Sequence, residues 1–126
     1  MSENNFIAKL ADDKRNYQPG EELVLGITWD FGEPLTKFEV RLVWNTEGKG
    51  DRDLETMKTI TLAAPGQSGQ ELVRTQLPYL PYSYRGKLLA IVWAVEVIAF
   101  PSKQAQRLVF EITPEKTVIE VTETSL

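Results

Sequence analysis

Apolar and polar residues take turns along much of this chain, and that period of two constrains its fold more than any other feature. From Phe38 the row Phe38, Val40, Leu42, Trp44 interleaves with Glu39, Arg41 and Asn45. An extended strand sends successive side chains to opposite faces, so one face here is apolar and the other mostly wetted. Leu23, Leu25, Ile27 and Trp29 repeat the pattern upstream. Further strands are expected at Met57 to Leu62, Glu71 to Leu77, Lys87 to Phe100 and Arg107 to Ile112, with a last candidate at Thr117 to Val121. No window of eleven residues carries the i, i+3, i+4, i+7 apolar spacing of a helix.

Turn residues punctuate these strands: Gln18-Pro19-Gly20, Phe31-Gly32-Glu33-Pro34, Gly48-Lys49-Gly50-Asp51, Pro65-Gly66-Gln67-Ser68-Gly69, Phe100-Pro101-Ser102 and Thr113-Pro114-Glu115. Proline and glycine there set turn dihedrals and keep helices from forming. Seven or eight strands at this spacing read as an all-β, immunoglobulin-like antiparallel sandwich. At 126 residues, one domain spanning 1–126 is the natural count.

The run from Leu88 to Phe100 is apolar except for Glu96, yet its length falls well short of the roughly 20 residues of a membrane-spanning helix. Its Val, Ile, Trp and Phe content favours a strand buried on both faces. The row Leu89, Ile91, Trp93, Val95, Val97 belongs to the core. The alternate row holds Leu88, Ala90, Val92, Ala94, Glu96 and Ile98, and in a sandwich it faces outward. Two outcomes stand equally open: an exposed apolar strip that marks an interface, or a row covered by a loop or the C-terminal strand.

The formal net charge of -4 argues against nucleic acid as a partner, because phosphate recognition needs clustered Lys and Arg. Neither cysteine nor histidine is present, which removes disulfides, thiolate nucleophiles and the commonest general base. The start, Met1-Ser2-Glu3-Asn4-Asn5, has no basic and apolar signal regions, so a cytoplasmic location is expected. Ser68 in Gly66-Gln67-Ser68-Gly69 lacks the spacing of a nucleophile elbow and reads as a turn. Asp51, Asp53 and Glu55 alternate, but without the glycine and distant glutamate of a calcium loop they read as a solvated hairpin. No cofactor or metal is expected, and no catalysis.

Between two strands lies Leu77-Pro78-Tyr79-Leu80-Pro81-Tyr82-Ser83-Tyr84-Arg85-Gly86, with three tyrosines and two prolines in ten residues. The prolines withhold backbone donors and delay pairing ahead of the long strand. Gly86 allows a bend into that strand. The tyrosine rings can close one end of the sandwich, with Tyr82 and Tyr84 packed and Tyr79 the most exposed.

Two segments together resemble a known family. Tyr17-Gln18-Pro19-Gly20-Glu21-Glu22-Leu23-Val24-Leu25-Gly26 resembles the run that opens an early strand of arrestin-like domains. Leu77-Pro78, Pro81, Ser83-Tyr84, Gly86, Leu88, Ile91, Trp93 and Val95 resemble a second passage of that family. The likeness spans Phe6 to Ile112 and is closest to the N-terminal arrestin-type sandwich, in the style of bacterial arrestin-like and sporulation-control-type proteins. It implies a sandwich that binds other proteins as an adaptor or scaffold. Arrestins proper carry two such sandwiches, so the groove between them would need a second copy of this chain, and a homodimer is one expectation. Phosphate-sensing arrestins have basic residues early on. Here Lys9, Lys14 and Arg15 stand beside Asp12 and Asp13, a departure from that pattern.

The functional expectation is a non-catalytic protein-interaction module whose partner-binding residues are Tyr79, Val92, Ala94, Glu96 and Ile98. The alternatives are a carbohydrate- or small-ligand-binding sandwich using Tyr79, Tyr82 and Trp29, and an accessory subunit that pairs an edge strand such as Thr117 to Val121 with a partner.

Overall fold

A computed structural model of the chain describes residues 5–48, 53–86 and 89–114. Its strands are β1 (Asn5–Leu10), β2 (Asn16–Tyr17), β3 (Glu22–Gly48), β4 (Leu54–Gln76), β5 (Tyr84–Arg85), β6 (Leu89–Phe100) and β7 (Ala105–Ile112), with a single 3-10 turn at Ala11–Asp13. They form one curled, mixed sheet in the order β1-β3-β6-β7-β2, with β4 also on β3 and β5 also on β6. All pairings are antiparallel except β2 with β7. The all-β expectation holds.

The curl is built into the two longest strands. β3 runs for 27 residues and β4 for 23, where the sequence suggests two shorter strands in each. Their ladder continues through the expected turns, with irregularities between Asp30 and Leu35 and again before Lys37. Bulges redirect a strand while keeping it extended, which a turn would not. Pro34 and Pro65 sit at this bend, at positions without ladder partners, so their missing N–H groups break no bond. On β4 the bend takes Ala64 to φ 45° and Gly66 to φ 91°. Ser68 consequently lies in strand, opposite Asp30, rather than in a turn.

Because β3 bends, its two limbs can face each other across the core. Residues 22–30 pair with β1 and the second half of β4, and residues 37–48 pair with β6. Trp29 and Phe38, from opposite limbs, meet edge to face at 5.2 Å, and Phe6 of β1 meets Phe38 at 5.4 Å. The alternating rows predicted from the sequence, Leu23 to Trp29 and Phe38 to Leu42, are buried in this core with Trp93, Val95 and Val97 of β6 and Phe110 and Ile112 of β7. β1 extends it with Phe6, Ala8 and Leu10, an alternation the sequence carries but the strand assignments above omit. Leu89, expected in the core row, is 43% exposed because it lies at the end of β6, opposite Gly48 and beyond the reach of β7. The candidate strand Thr117 to Val121 lies outside the described residues, as do Lys87, Leu88 and Asp51.

Candidate functional site

Segment 77–86 crosses the end of the sheet where β4 finishes and β6 begins, and its backbone is held at several points. Leu77 N–H donates to the Glu21 carbonyl at 2.8 Å, and Ser83 N–H donates to that of Ile112 at 2.8 Å. Ile112 N–H returns a bond to Ser83 Oγ at 2.9 Å. The indole N–H of Trp93, a fully buried side chain, donates to the Pro81 carbonyl at 2.8 Å. Gly86 N–H donates to the Leu89 carbonyl at 2.8 Å. These bonds come from three different parts of the sheet, so the segment is ordered by the fold beneath it.

Leu77 anchors the segment in the core, and the large side chains after it point away. Tyr79 is 67% exposed, Leu80 63%, Tyr84 55% and Tyr82 42%. Tyr82 and Tyr84 therefore depart from their expected packed role: proline and backbone bonds close this end of the sheet, not their rings. Two contacts fix ring directions. A Cβ at Gly20 would stand 2.6 Å from the Tyr79 ring, and Gly20 has φ +79°, so both the close approach and the dihedral require glycine there. A Cβ at Gly86 would stand 2.6 Å from the Tyr84 hydroxyl, so this glycine serves contact with Tyr84.

Beside Tyr79 lies a hollow of about 590 Å³, with Lys14, Tyr17, Gly20 and Glu21 among its walls. Its charges are spoken for. Lys14 Nζ is bonded to Glu21 Oε2 and lies 5.0 Å from the Tyr17 ring centre. The Lys14 bond, then the Gln18 N–H, hold the Glu21 carboxyl below its usual range. Burial, then the nearby Glu21 charge, push Tyr17 above the usual phenol value, and its hydroxyl donates to the Lys14 carbonyl at 3.0 Å. Arg15 pairs with Asp13 at 3.3 Å. Two of the three early basic residues thus meet carboxylates of their own chain, which fits their departure from the phosphate-sensing pattern.

On the outer face of β6 the fates differ. Val92 and Ala94 face outward but are buried, at 7% and 0% exposure, and Glu96 and Ile98 are half-buried. The row is not an open apolar strip. Arg107 of β7, opposite Glu96, donates to Glu96 Oε2 at 2.9 Å and to Asn45 Oδ1 at 2.6 Å. Asn45 of β3 lies opposite Val92, so the guanidinium reaches from the Glu96 rung to the Val92 rung, across the rung where Val43 and Ala94 pair. Long basic side chains cover apolar surface with their stems in this way. A neighbouring charged row carries Lys37, Glu39 and Arg41, where bonds from Lys37 and then Arg41 hold the Glu39 carboxyl low.

Trp29, the third aromatic proposed for sugar stacking, is 6% exposed and sits in the core; its ring face is unavailable. Asp53, from the alternating acidic loop, donates its N–H to Thr46 Oγ1. Among the described residues no three acidic side chains converge on a metal-sized site, and no helix is long and apolar enough to cross a membrane.

The same architecture occurs in solved structures. The chain superposes on the sporulation control protein Spo0M from Bacillus subtilis with a TM-score of 0.65 at 18% identity, over 96% of this chain and 55% of that one. The fold is arrestin-like. The chain spans about half the length of Spo0M. A second likeness, TM-score 0.51 at 15% identity, is to part of a β-glucosidase from Listeria innocua, over 86% of this chain and 16% of the enzyme. No protein-family model matches the sequence, and no curated protein matches it. On the arrestin-like fold, the passage carrying the resemblance, Leu77 to Val95, is the exposed aromatic segment and the first half of β6. Leu80 was missed as a surface residue; its place between Tyr79 and Pro81 was the available signal.

Proposed function

We propose that this chain is a non-catalytic protein-interaction module of regulatory type, with an immunoglobulin-like arrestin sandwich that recognises another protein through segment 77–86. The observation that carries the reading is the combination of a pinned backbone with four large exposed side chains, Tyr79, Leu80, Tyr82 and Tyr84. Rigid tyrosines give contact area at small entropic cost, and aromatic side chains dominate binding energy at protein interfaces. The hollow next to Tyr79 offers a polar rim with internally neutralised charges. Spo0M is described as a sporulation control protein, which supports a regulatory rather than a catalytic role.

Carbohydrate binding is the weaker reading. Two of its three proposed aromatics remain exposed, but Trp29, the one with the largest ring face, does not.

Photo-crosslinking from position 79 in cells of the source organism tests the reading, with position 9 on β1 as an exposed control. A discrete protein adduct at 79, competed by the wild-type chain but not by a Tyr79→Ala/Tyr82→Ala variant, is the expected result. No adduct at 79, or one that the double variant competes equally, would reject it.

A further inference from the structure

Two margins of the curled sheet, those of β1 and β4, are finished in different ways. At the β1 margin, the Gln106 side-chain amide of β7 stands in for a strand: Ala8 N–H donates to Gln106 Oε1 at 3.0 Å, and Gln106 Nε2 donates to the Ala8 carbonyl at 2.9 Å. At the other margin, β4 pairs with β3 alone. Among the described residues no strand meets its second side, which leaves a row of backbone donors and acceptors facing water. The strand is exposed almost throughout; only Val73 and Thr75 are buried.

Sheet edges of this kind are usually blunted by proline, by a bulge or by an outward lysine. From Lys58 to Ala63 none of these interrupts the edge. The ladder to β3 is continuous there, from Lys58 opposite Leu42 to Ala63 opposite Lys37. The one charge, Lys58, is drawn away: its amine donates to Thr75 Oγ1 at 2.9 Å, joining the two limbs of β4. Thr59 and Thr61 lie opposite Arg41 and Glu39 on the outer face, whereas Ile60 and Leu62 lie opposite Val40 and Phe38 and are half-buried against the core.

We propose that this edge is a homodimer interface, on which the Lys58–Ala63 run of a second copy adds antiparallel about a two-fold axis. A second copy fits because the run is self-compatible. Such an axis keeps each face on its own side, so outward residues meet outward ones and inward residues meet inward ones. Registers centred on Ile60 or Thr61 satisfy this within the straight run. In the first, Thr59 stands opposite Thr61 of the second copy, Ile60 opposite its own counterpart and Lys58 opposite Leu62. In the second, Ile60 stands opposite Leu62 and Thr61 opposite its counterpart. Neither register sets like charges against each other, and both join β-branched side chains of the kind that stabilise cross-strand pairs. The half-exposed margin of Ile60 and Leu62 would be covered in both copies at once. The interface leaves segment 77–86 free, so it is independent of the function proposed above.

Sedimentation equilibrium on the full chain, from micromolar to millimolar, tests the proposal beside Thr59→Lys/Thr61→Lys. Both positions are exposed, and like charges then face each other in either register. A reversible wild-type dimer is expected, with a dissociation constant raised about ten-fold or more in the variant and partly restored by salt. A near-UV circular dichroism spectrum matching wild type certifies the variant's fold. A wild-type chain monomeric throughout would overturn the proposal and leave a strand from another protein as the occupant. A folded variant that dimerises as wild type does would overturn it too, by placing the interface elsewhere.

Discussion

The outer row of β6 and segment 77–86 are both rich in apolar side chains, and both were expected to meet a partner, but the structure treats them oppositely. On β6, Val92 and Ala94 point away from the core and are nevertheless buried, and Arg107 reaches over their rungs to Glu96 and Asn45. In segment 77–86 the backbone is tied to the core, yet Tyr79, Leu80, Tyr82 and Tyr84 stay in water. Direction and exposure are thus separate properties. A period of two reports the first, and the second depends on what neighbouring strands send over the same rung.

The sharpest way to break the comparison is at Trp93, which lies between Val92 and Ala94 on β6 and is bonded to segment 77–86. It fills the core beside Phe110, their ring centres 6.0 Å apart, and its N–H holds Pro81. Trp93→Ala is expected to destabilise the fold by about 3–5 kcal/mol, measured by urea unfolding. Trp93→Phe keeps most of the ring but orphans the Pro81 carbonyl, at about 1–3 kcal/mol. Hydrogen exchange should then quicken in segment 77–86 before the rest of the sheet. Unchanged protection there would mean that the other backbone bonds suffice to hold the segment.

Arg107 comes next. Removing it with Arg107→Ala leaves the buried Asn45 Oδ1 without its donor and uncovers the Val43 and Ala94 rung. A loss of about 1–2 kcal/mol is expected, discounted for the partly exposed Glu96 pair. Binding of a hydrophobic dye should rise in the folded variant. A variant that stays as stable and as dry as wild type would show that the row is closed by something other than Arg107.

How far the sequence foretold each region follows from the same distinction. The inward rows of β3 and the large residues Trp93, Val95 and Val97 were legible, because their burial follows from local alternation. The continuity of β3 through Phe31 to Pro34 was not, since glycine and proline suit a bulge in a bent strand as well as a turn. Nor was the burial of Val92 and Ala94, which depends on an arginine thirteen or more positions away whose rung is set by strand pairing. Tyr79 could be placed at the surface from its position between prolines. Tyr82 and Tyr84 were misjudged because a backbone held by Ser83 and Pro81 frees their rings from any need to pack.

A smaller effect probes the junction between the hollow and the aromatic segment. The Glu21 carboxyl sits below its ordinary unfolded value, held by Lys14 and the Gln18 N–H. A depressed folded pKa contributes stability that is present above that unfolded value and is lost as pH falls through the folded one. With the Glu21 side chain 32% exposed, the contribution is on the order of a few tenths of a kcal/mol. Denaturation midpoints measured from neutral pH downward should fall slightly less steeply for Glu21→Gln than for wild type. An identical acid limb would mean that the pair contributes nothing to stability.

The smallest effect on stability belongs to the residues assigned the largest role in binding. Tyr79→Ala/Tyr82→Ala removes two exposed rings while leaving every backbone tie of segment 77–86 in place, so unfolding free energy should move by no more than about 0.5 kcal/mol. Partner cross-linking and competition should nevertheless be lost, since truncating aromatic anchors at an interface commonly costs about 2 kcal/mol or more of binding energy. Both measurements on one sample separate the two possible uses of an aromatic surface. A large loss of stability with binding retained would assign these rings to closing the sheet, and segment 77–86 would then differ from the outer row of β6 only in how much water it touches.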